Sequence, residues 1–290
     1  MVEENRQLDP KRVRIQEKII ELEKKGIFDQ DVEDDPETIP LEPEMIDYLK
    51  KGFMDKVYNK FAYYQAIRFF DKSVAAKKVI IKEVIGIENA RLDSGAIVTC
   101  NHFNPYDSFS VEKSMRDAGI LKKRKLYKVI REGNYTNFPG FFGFIFKYCN
   151  TLPLSSVKET MKKFLRASEI LLKRGDYILI YPEQSMWWNY RKPKPLKPGA
   201  FSIAAKNGVP VIPVFITMND SDIIGDDGYL IQEYTIHIEK PIYPDSKKSN
   251  KENEKIMMEK NFQVWKKVYE DFYNIPLTYL CDEVGKNEEK

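Results

Sequence analysis

From Val79 onward, apolar segments of strand length alternate with segments of helical spacing, and this alternation constrains the fold more than any other feature of the chain. Strand candidates occupy residues 79–87, 96–100, 126–130, 177–181, 211–216 and 234–238. Helical patterns cover residues 109–118, 157–173 and 201–207, and a longer charged one covers 251–273. Strands that alternate with helices bury both faces of one sheet, so the expected class is α/β, a mixed central sheet flanked by helices with an N-terminal helical extension. The expected organisation is a charged extension over residues 1–42, an amphipathic helical segment over 43–78 and an α/β domain over 79–290. The extension carries a candidate helix at residues 10–25 and an acidic linker near 29–37, and it reads as appended to the domain.

Composition sets outer limits. The 290 residues are 42% hydrophobic and 31% charged, enough for one sizeable core. Lys and Arg total 47 against 44 acidic residues, and a net charge of +3 gives no basis for nucleic acid as a partner. Cys100, Cys149 and Cys281 are odd in number and lack paired spacing, so neither a disulfide framework nor a structural metal is expected.

The chemistry concentrates at Asn101-His102-Phe103-Asn104-Pro105-Tyr106-Asp107, immediately after the strand candidate at residues 96–100. That puts His102 at a strand's C-terminal end, where open α/β sheets carry their sites. A neutral imidazole accepts a proton near physiological pH, and a carboxylate on its other ring nitrogen fixes the tautomer and stabilises the imidazolium. Pro105 stiffens the intervening loop. The same heptapeptide also fits a polar loop histidine followed by a helix-capping aspartate. His237 lies in the strand candidate at residues 234–238 and is expected to be structural.

With that heptapeptide as the first block, a second, third and fourth follow in order. Arg131-Glu132 precedes Pro139-Gly140-Phe141-Phe142-Gly143; Tyr181-Pro182-Glu183-Gln184-Ser185-Met186 follows a strand candidate; Lys197-Pro198-Gly199-Ala200 leads to Val209-Pro210-Val211-Ile212-Pro213-Val214. Together with Asn101, His102 and Asp107, this series resembles the glycerolipid acyltransferase family typified by lysophosphatidate acyltransferase, across roughly residues 84–241. The resemblance implies catalysis by His102 and Asp107. It implies substrate binding by Asn101, Arg131, Glu183, Gln184, Ser185 and Lys197, with Glu183 either binding acceptor hydroxyls or organising the residues around the site. It further implies transfer of a fatty acyl group from acyl-CoA or acyl-carrier protein to a lysophospholipid such as 1-acylglycerol-3-phosphate, without metal or bound cofactor. The chain departs from the family at Gln184 and Met186, where the family has glycine and arginine, and residues 151–156 end in hydroxyls where an arginine is usual. A guanidinium fork suits phosphate oxygens and neither replacement does. The acceptor is therefore open between a lysophospholipid and a glycolipid, polyol or cell-surface precursor. A catalytically silent membrane-binding homologue is the alternative from another class.

No apolar run reaches the eighteen or so residues of a spanning helix, and the N-terminus is too charged for a secretory signal, so a cytoplasmic protein peripherally associated with the membrane is expected. Residues 43–72 mix Leu49, Phe53, Met54, Val57, Phe61, Tyr64, Ile67 and Phe70 with Lys50, Lys51, Lys56, Lys60 and Arg68. Such a basic amphipathic helix, or helix pair broken near Gly52, fits either an anionic bilayer surface or a core face with a solvated back. The Phe- and Gly-rich residues 138–148 suit an acyl-chain groove, an interfacial contact or the core. Trp187, Trp188 and Tyr190 are open between a polar-apolar interface, carbohydrate and core packing.

Overall fold

The computed structural model describes residues 8–34 and 37–282. The alternating pattern folds into a seven-stranded sheet in the order β1-β7-β6-β2-β5-β3-β4. Its strands are β1 (Ile80–Ile85), β2 (Ala96–Cys100), β3 (Leu126–Ile130), β4 (Thr151–Pro153), β5 (Tyr177–Ile180), β6 (Val211–Ile224) and β7 (Leu230–Ile238). All neighbours pair in parallel except β6 and β7. The mixed sheet flanked by helices is therefore as expected.

Every residue of β2 is buried, because this central strand is covered on both faces. Successive side chains serve opposite layers. Val98 and Leu179 join Phe70, Val111 and Met115 on one face, whereas Ile97 and Ile178 join Phe164, Leu171 and Phe201 on the other. The first layer is built by α2 (Phe53–Ala75) and α3 (Asp107–Asp117), the second by α6 (Lys158–Lys173) and α7 (Gly199–Asn207). The terminal helix α8 (Asn250–Tyr273) begins with a capping box between Ser249 and Glu252 and lays Trp265 against Phe215.

Several elements differ from their expected bounds. Strand β4 was absent from the strand candidates because three residues carry no periodicity; it pairs with β3 from Lys128 to Ile130, and its Pro153 is tolerated at a sheet edge. Strands β6 and β7 run beyond the apolar stretches into a hairpin that includes exposed Asn219 and Asp220. Helix α3 begins at Asp107, two residues earlier than expected.

The segment before the sheet does not form one amphipathic helix. A 3₁₀ turn at Pro43–Met45 leads to Gly52, and α2 starts at Phe53. Ahead of it, α1 (Pro10–Lys24) has Asp9 as a side-chain N-cap and Pro10 at its first position. Its Ile15, Ile19 and Leu22 pack with Val32 on Trp187 and Trp188. This segment is thus joined to the α/β domain through an apolar cluster of its own.

His237 is a buried residue of β7, 3.0 Å from Thr217 Oγ1 and edge-on to Phe272. Burial pushes its pKa from 6.5 down to about 4, so the folded protein holds it neutral. Below the unfolded value the unfolded chain takes up a proton that the folded chain refuses, and stability falls as pH drops through this window. A His237→Gln variant should lose a component on the order of 1–3 kcal/mol from the acid-side stability loss. Urea titrations of both proteins across that pH range measure it, and parallel stability curves would refute the assignment.

Candidate active site

Where β2 ends, Asn101 is clamped to the neighbouring strand. Its Oδ1 accepts from the Ile216 N–H at 2.8 Å and its Nδ2 donates to the Ile216 carbonyl at 3.0 Å. Both polar ends of this buried side chain are committed to the sheet, so its placement is away from the cleft, and its effect is to fix where the chain leaves β2. His102 then emerges beside the C-terminal end of β5.

The loop over Asn104 and Pro105 turns back so that Asp107, in the first turn of α3, meets the histidine ring. His102 Nδ1 lies 2.8 Å from Asp107 Oδ2. The carboxylate is fully buried, and every direction around it is filled by a donor. Oδ2 also faces the backbone N–H groups of Phe103 at 3.2 Å and Asn104 at 3.4 Å, and Oδ1 accepts from the Ser108 N–H and the Tyr181 hydroxyl, both at 2.5 Å. A helix N-terminus adds favourable potential for the negative charge. With Nδ1 engaged, Nε2 is the ring nitrogen left for a substrate proton.

Tyr181, just past β5, opens the third block, and the sequence alone gives it no role. Its ring stacks on His102 with centroids 3.8 Å apart and planes 13° from parallel, while its hydroxyl reaches Asp107. Burial and the adjacent carboxylate hold the phenol well above its ordinary pKa, so it acts here as a neutral donor. The signal available in the sequence was a tyrosine, with its hydroxyl, at the aromatic position of that block.

Glu183 sits behind the histidine and does not line the cavity. Its Oε2 accepts from the His102 N–H at 3.1 Å and its Oε1 from the Lys194 N–H at 2.8 Å. Lys194, equally buried, has Nζ 3.7 Å from Glu183 and donates to the Ser185 carbonyl and hydroxyl at 2.6 and 2.9 Å. Burial raises the Glu183 pKa and lowers that of Lys194 to about 8; each ion is kept by the other and by backbone donors or acceptors. Of the two roles implied for Glu183, its geometry matches organising the site. Ser185 also points away from the cleft, donating to the Phe28 carbonyl at 2.6 Å. Gln184 is exposed on the cleft rim, with the left-handed φ of 68° that the turn requires.

Trp187 is fully buried, stacked with Phe28, and donates from Nε1 to the Gln30 carbonyl at 2.8 Å, which makes it a core residue. Cys100 is buried at the end of β2, and burial raises its pKa, so it offers no thiolate nucleophile. Among the described residues, no three His, Cys, Asp or Glu side chains are grouped as metal ligands.

His102, Asp107 and Tyr181 open onto a cavity of about 1460 Å³. Its walls include Phe142, Ile145, Phe146, Met161, Phe164 and Ile203, and its volume is large enough for a chain-like substrate. Arg131 and Lys197 line the same cavity; Arg131 lies 2.6 Å from Asp31 and Lys197 2.7 Å from Asp29. The structure therefore brings together His102, Asp107, Arg131, Gln184 and Lys197 at one cleft, with Asn101, Glu183 and Ser185 packed behind it.

Residues 82–217 match the family model described as Acyltransferase. A chloroplastic 1-acyl-sn-glycerol-3-phosphate acyltransferase of Brassica napus is 28% identical over 166 residues, which is 56% of this chain and 45% of the relative. The chain thus spans under half the length of that curated relative. A solved structure of the 1-acyl-sn-glycerophosphate acyltransferase of Thermotoga maritima aligns over 75% of this chain and 85% of its own, at 19% identity and a TM-score of 0.44. The match to the Acyltransferase family model runs from β1 through β2, His102 and Asp107 and on into β6.

Proposed function

We propose that the protein transfers a fatty acyl group from an acyl thioester to a hydroxyl of a glycerolipid acceptor, with His102 as general base. The observation that carries this reading is the buried Asp107 carboxylate on His102 Nδ1, in a pair that lines a large cavity with many apolar wall residues. In this mechanism Nε2 removes the acceptor hydroxyl proton as its oxygen attacks the thioester carbonyl. Asp107 stabilises the imidazolium that forms. The tetrahedral intermediate expels the thiolate, which recovers the proton from His102. The acyl chain lies along the apolar walls, and the donor is acyl-CoA or acyl-carrier protein.

For the acceptor, the curated relative's name supports 1-acylglycerol-3-phosphate. An uncharged glycolipid or polyol hydroxyl is the second reading, favoured because Arg131 and Lys197 already face carboxylates of this chain.

We also propose that α2 rests on a bilayer surface. Phe53, Val57, Phe61 and Tyr64 recur along one line of the helix and are exposed, Phe53 at 79%, while Ala62, Ala66 and Phe70 face the core. Phe141 and Phe142 of α5 (Gly140–Tyr148) extend this apolar surface beside Phe69, and Lys51, Lys56, Lys60 and Arg68 are exposed around it. Lys50 turns inward to the Cys149 carbonyl and does not contribute. No helix of the described residues is long and apolar enough to cross a membrane.

Three measurements test these proposals. Incubation with labelled long-chain acyl-CoA or acyl-carrier protein and a panel of lysophospholipids, glycolipids and polyols should yield acylated product, reduced ~10²- to 10⁴-fold in folded His102→Ala. Near-normal transfer by that variant would overturn the base assignment. Tyr181→Phe removes a hydrogen-bond donor from the buried Asp107 carboxylate and the hydroxyl of the ring stacked on His102, and should lower kcat/KM about tenfold, as expected for losing one hydrogen bond to a charged group. Unchanged kcat/KM in that variant would show that the phenol does not support the pair. Phe53→Asp with Phe61→Asp should weaken sedimentation with vesicles containing anionic lipid about tenfold or more, since two apolar anchors are lost. Unchanged partitioning would place the membrane contact elsewhere.

A further inference from the structure

Residues 28–33 run along the turn that carries Ser185 and Trp187, fastened to it through the Phe28 and Gln30 carbonyls. Phe28, Gln30 and Val32 are held against the body of the protein: Phe28 stacks on Trp187 and accepts from Ser185 through its carbonyl, the Gln30 carbonyl accepts from Trp187 Nε1, and Val32 is buried. The intervening positions are Asp29, Asp31 and Glu33. They reach Lys197 at 2.7 Å, Arg131 at 2.6 Å and Arg12 at 2.7 Å, and all six of these charged residues line the cavity that contains His102. The lysine beside Asp29 holds that carboxyl below its ordinary pKa, which keeps it anionic. Elsewhere on the same wall Lys128 faces Glu112 at 2.6 Å and Lys78 faces Asp226 at 2.9 Å.

A phosphate monoester carries close to two negative charges near neutral pH and needs cations free to meet its oxygens. Here it would have to displace Asp29 and Asp31 or stand beside them. Partly exposed ion pairs contribute little to stability singly, but the carboxylates are presented by an anchored backbone and so persist as local negative charge. An uncharged hydroxyl acceptor meets no such opposition.

We propose that residues 28–33 are the acceptor-selectivity element of this protein, with Asp29 and Asp31 occupying Lys197 and Arg131 and thereby disfavouring phosphate-monoester acceptors relative to uncharged ones. This deepens the acyl-transfer reading and rests on it for its meaning in turnover. Equilibrium binding is therefore measured without acyl donor, using soluble short-chain 1-acylglycerol-3-phosphate and the matching 1-acylglycerol. In full-length Asp29→Asn/Asp31→Asn, affinity for the phosphate compound should rise about tenfold while that for the uncharged one holds, as expected for removing two like charges near the ligand. The charge-retaining Asp29→Glu/Asp31→Glu protein should keep the wild-type ratio, which separates charge from disturbance of the segment. A ratio that does not change in the Asn variant, or that changes equally in the Glu variant, overturns the proposal. In the transfer assay the product ratio should follow the binding ratio. Absence of product from every acceptor would count against the acyl-transfer reading, while the binding ratios would still decide this one.

Discussion

A carboxylate with no exposure to water is tolerated only when its lone pairs are filled, and Asp107 is placed so that three backbone N–H groups, the Tyr181 hydroxyl and the His102 ring nitrogen converge on it. The rest of the site follows from meeting that demand. The loop after β2 must curl tightly enough to present the N–H groups of Phe103 and Asn104. The start of α3 must supply the Ser108 N–H, and β5 must end where the Tyr181 hydroxyl reaches across. His102 is then trapped between the carboxylate on one side and the tyrosine ring on its face, with its backbone N–H held by Glu183. Loss of any one donor leaves a buried charge less well compensated, so the histidine's orientation and the stability of this corner of the sheet are coupled.

The region behind the histidine is built on the same logic with opposite charges. Glu183 and Lys194 are both buried, and each would be costly alone; together with Ser185 and two backbone N–H groups they make a closed polar unit under the third-block turn. The amino-terminal segment covers this unit through Phe28 and through the Trp187 indole bond to Gln30. The same segment that completes the packing also places Asp29 and Asp31 on the cleft wall. Structural support and local electrostatics at the cleft are therefore properties of one stretch of chain.

The legible parts of the sequence were those whose physical cause is local. The β2 segment reads as a strand from its apolar run alone, and His102 and Asp107 are separated by only five residues, so the loop between them could be judged from Asn104 and Pro105. Contacts closed by the fold were not legible. Tyr181 is 74 residues from Asp107, and the ion pairs of Asp31 with Arg131 and Asp29 with Lys197 span 100 and 168 residues. Residue type alone did not decide two positions, for a related reason. Ser185 was assigned to the substrate and Trp187 was left open to an interfacial role, but each polar group is taken up by the amino-terminal segment, whose docking no local pattern reveals. Asn101 belongs to the same class, since its amide is used by Ile216 on a neighbouring strand.

The claim on which the account turns is that Asp107 holds His102 with its proton on Nδ1 and leaves Nε2 open to the cleft. The chain has two histidines, so ¹⁵N ring shifts of the wild type and of His237→Gln assign His102 without ambiguity. In mildly alkaline solution the account predicts the neutral Nδ1–H tautomer for His102, converting to a mixture in Asp107→Asn. An Nε2–H tautomer in the wild type, or no response to Asp107→Asn, would contradict it.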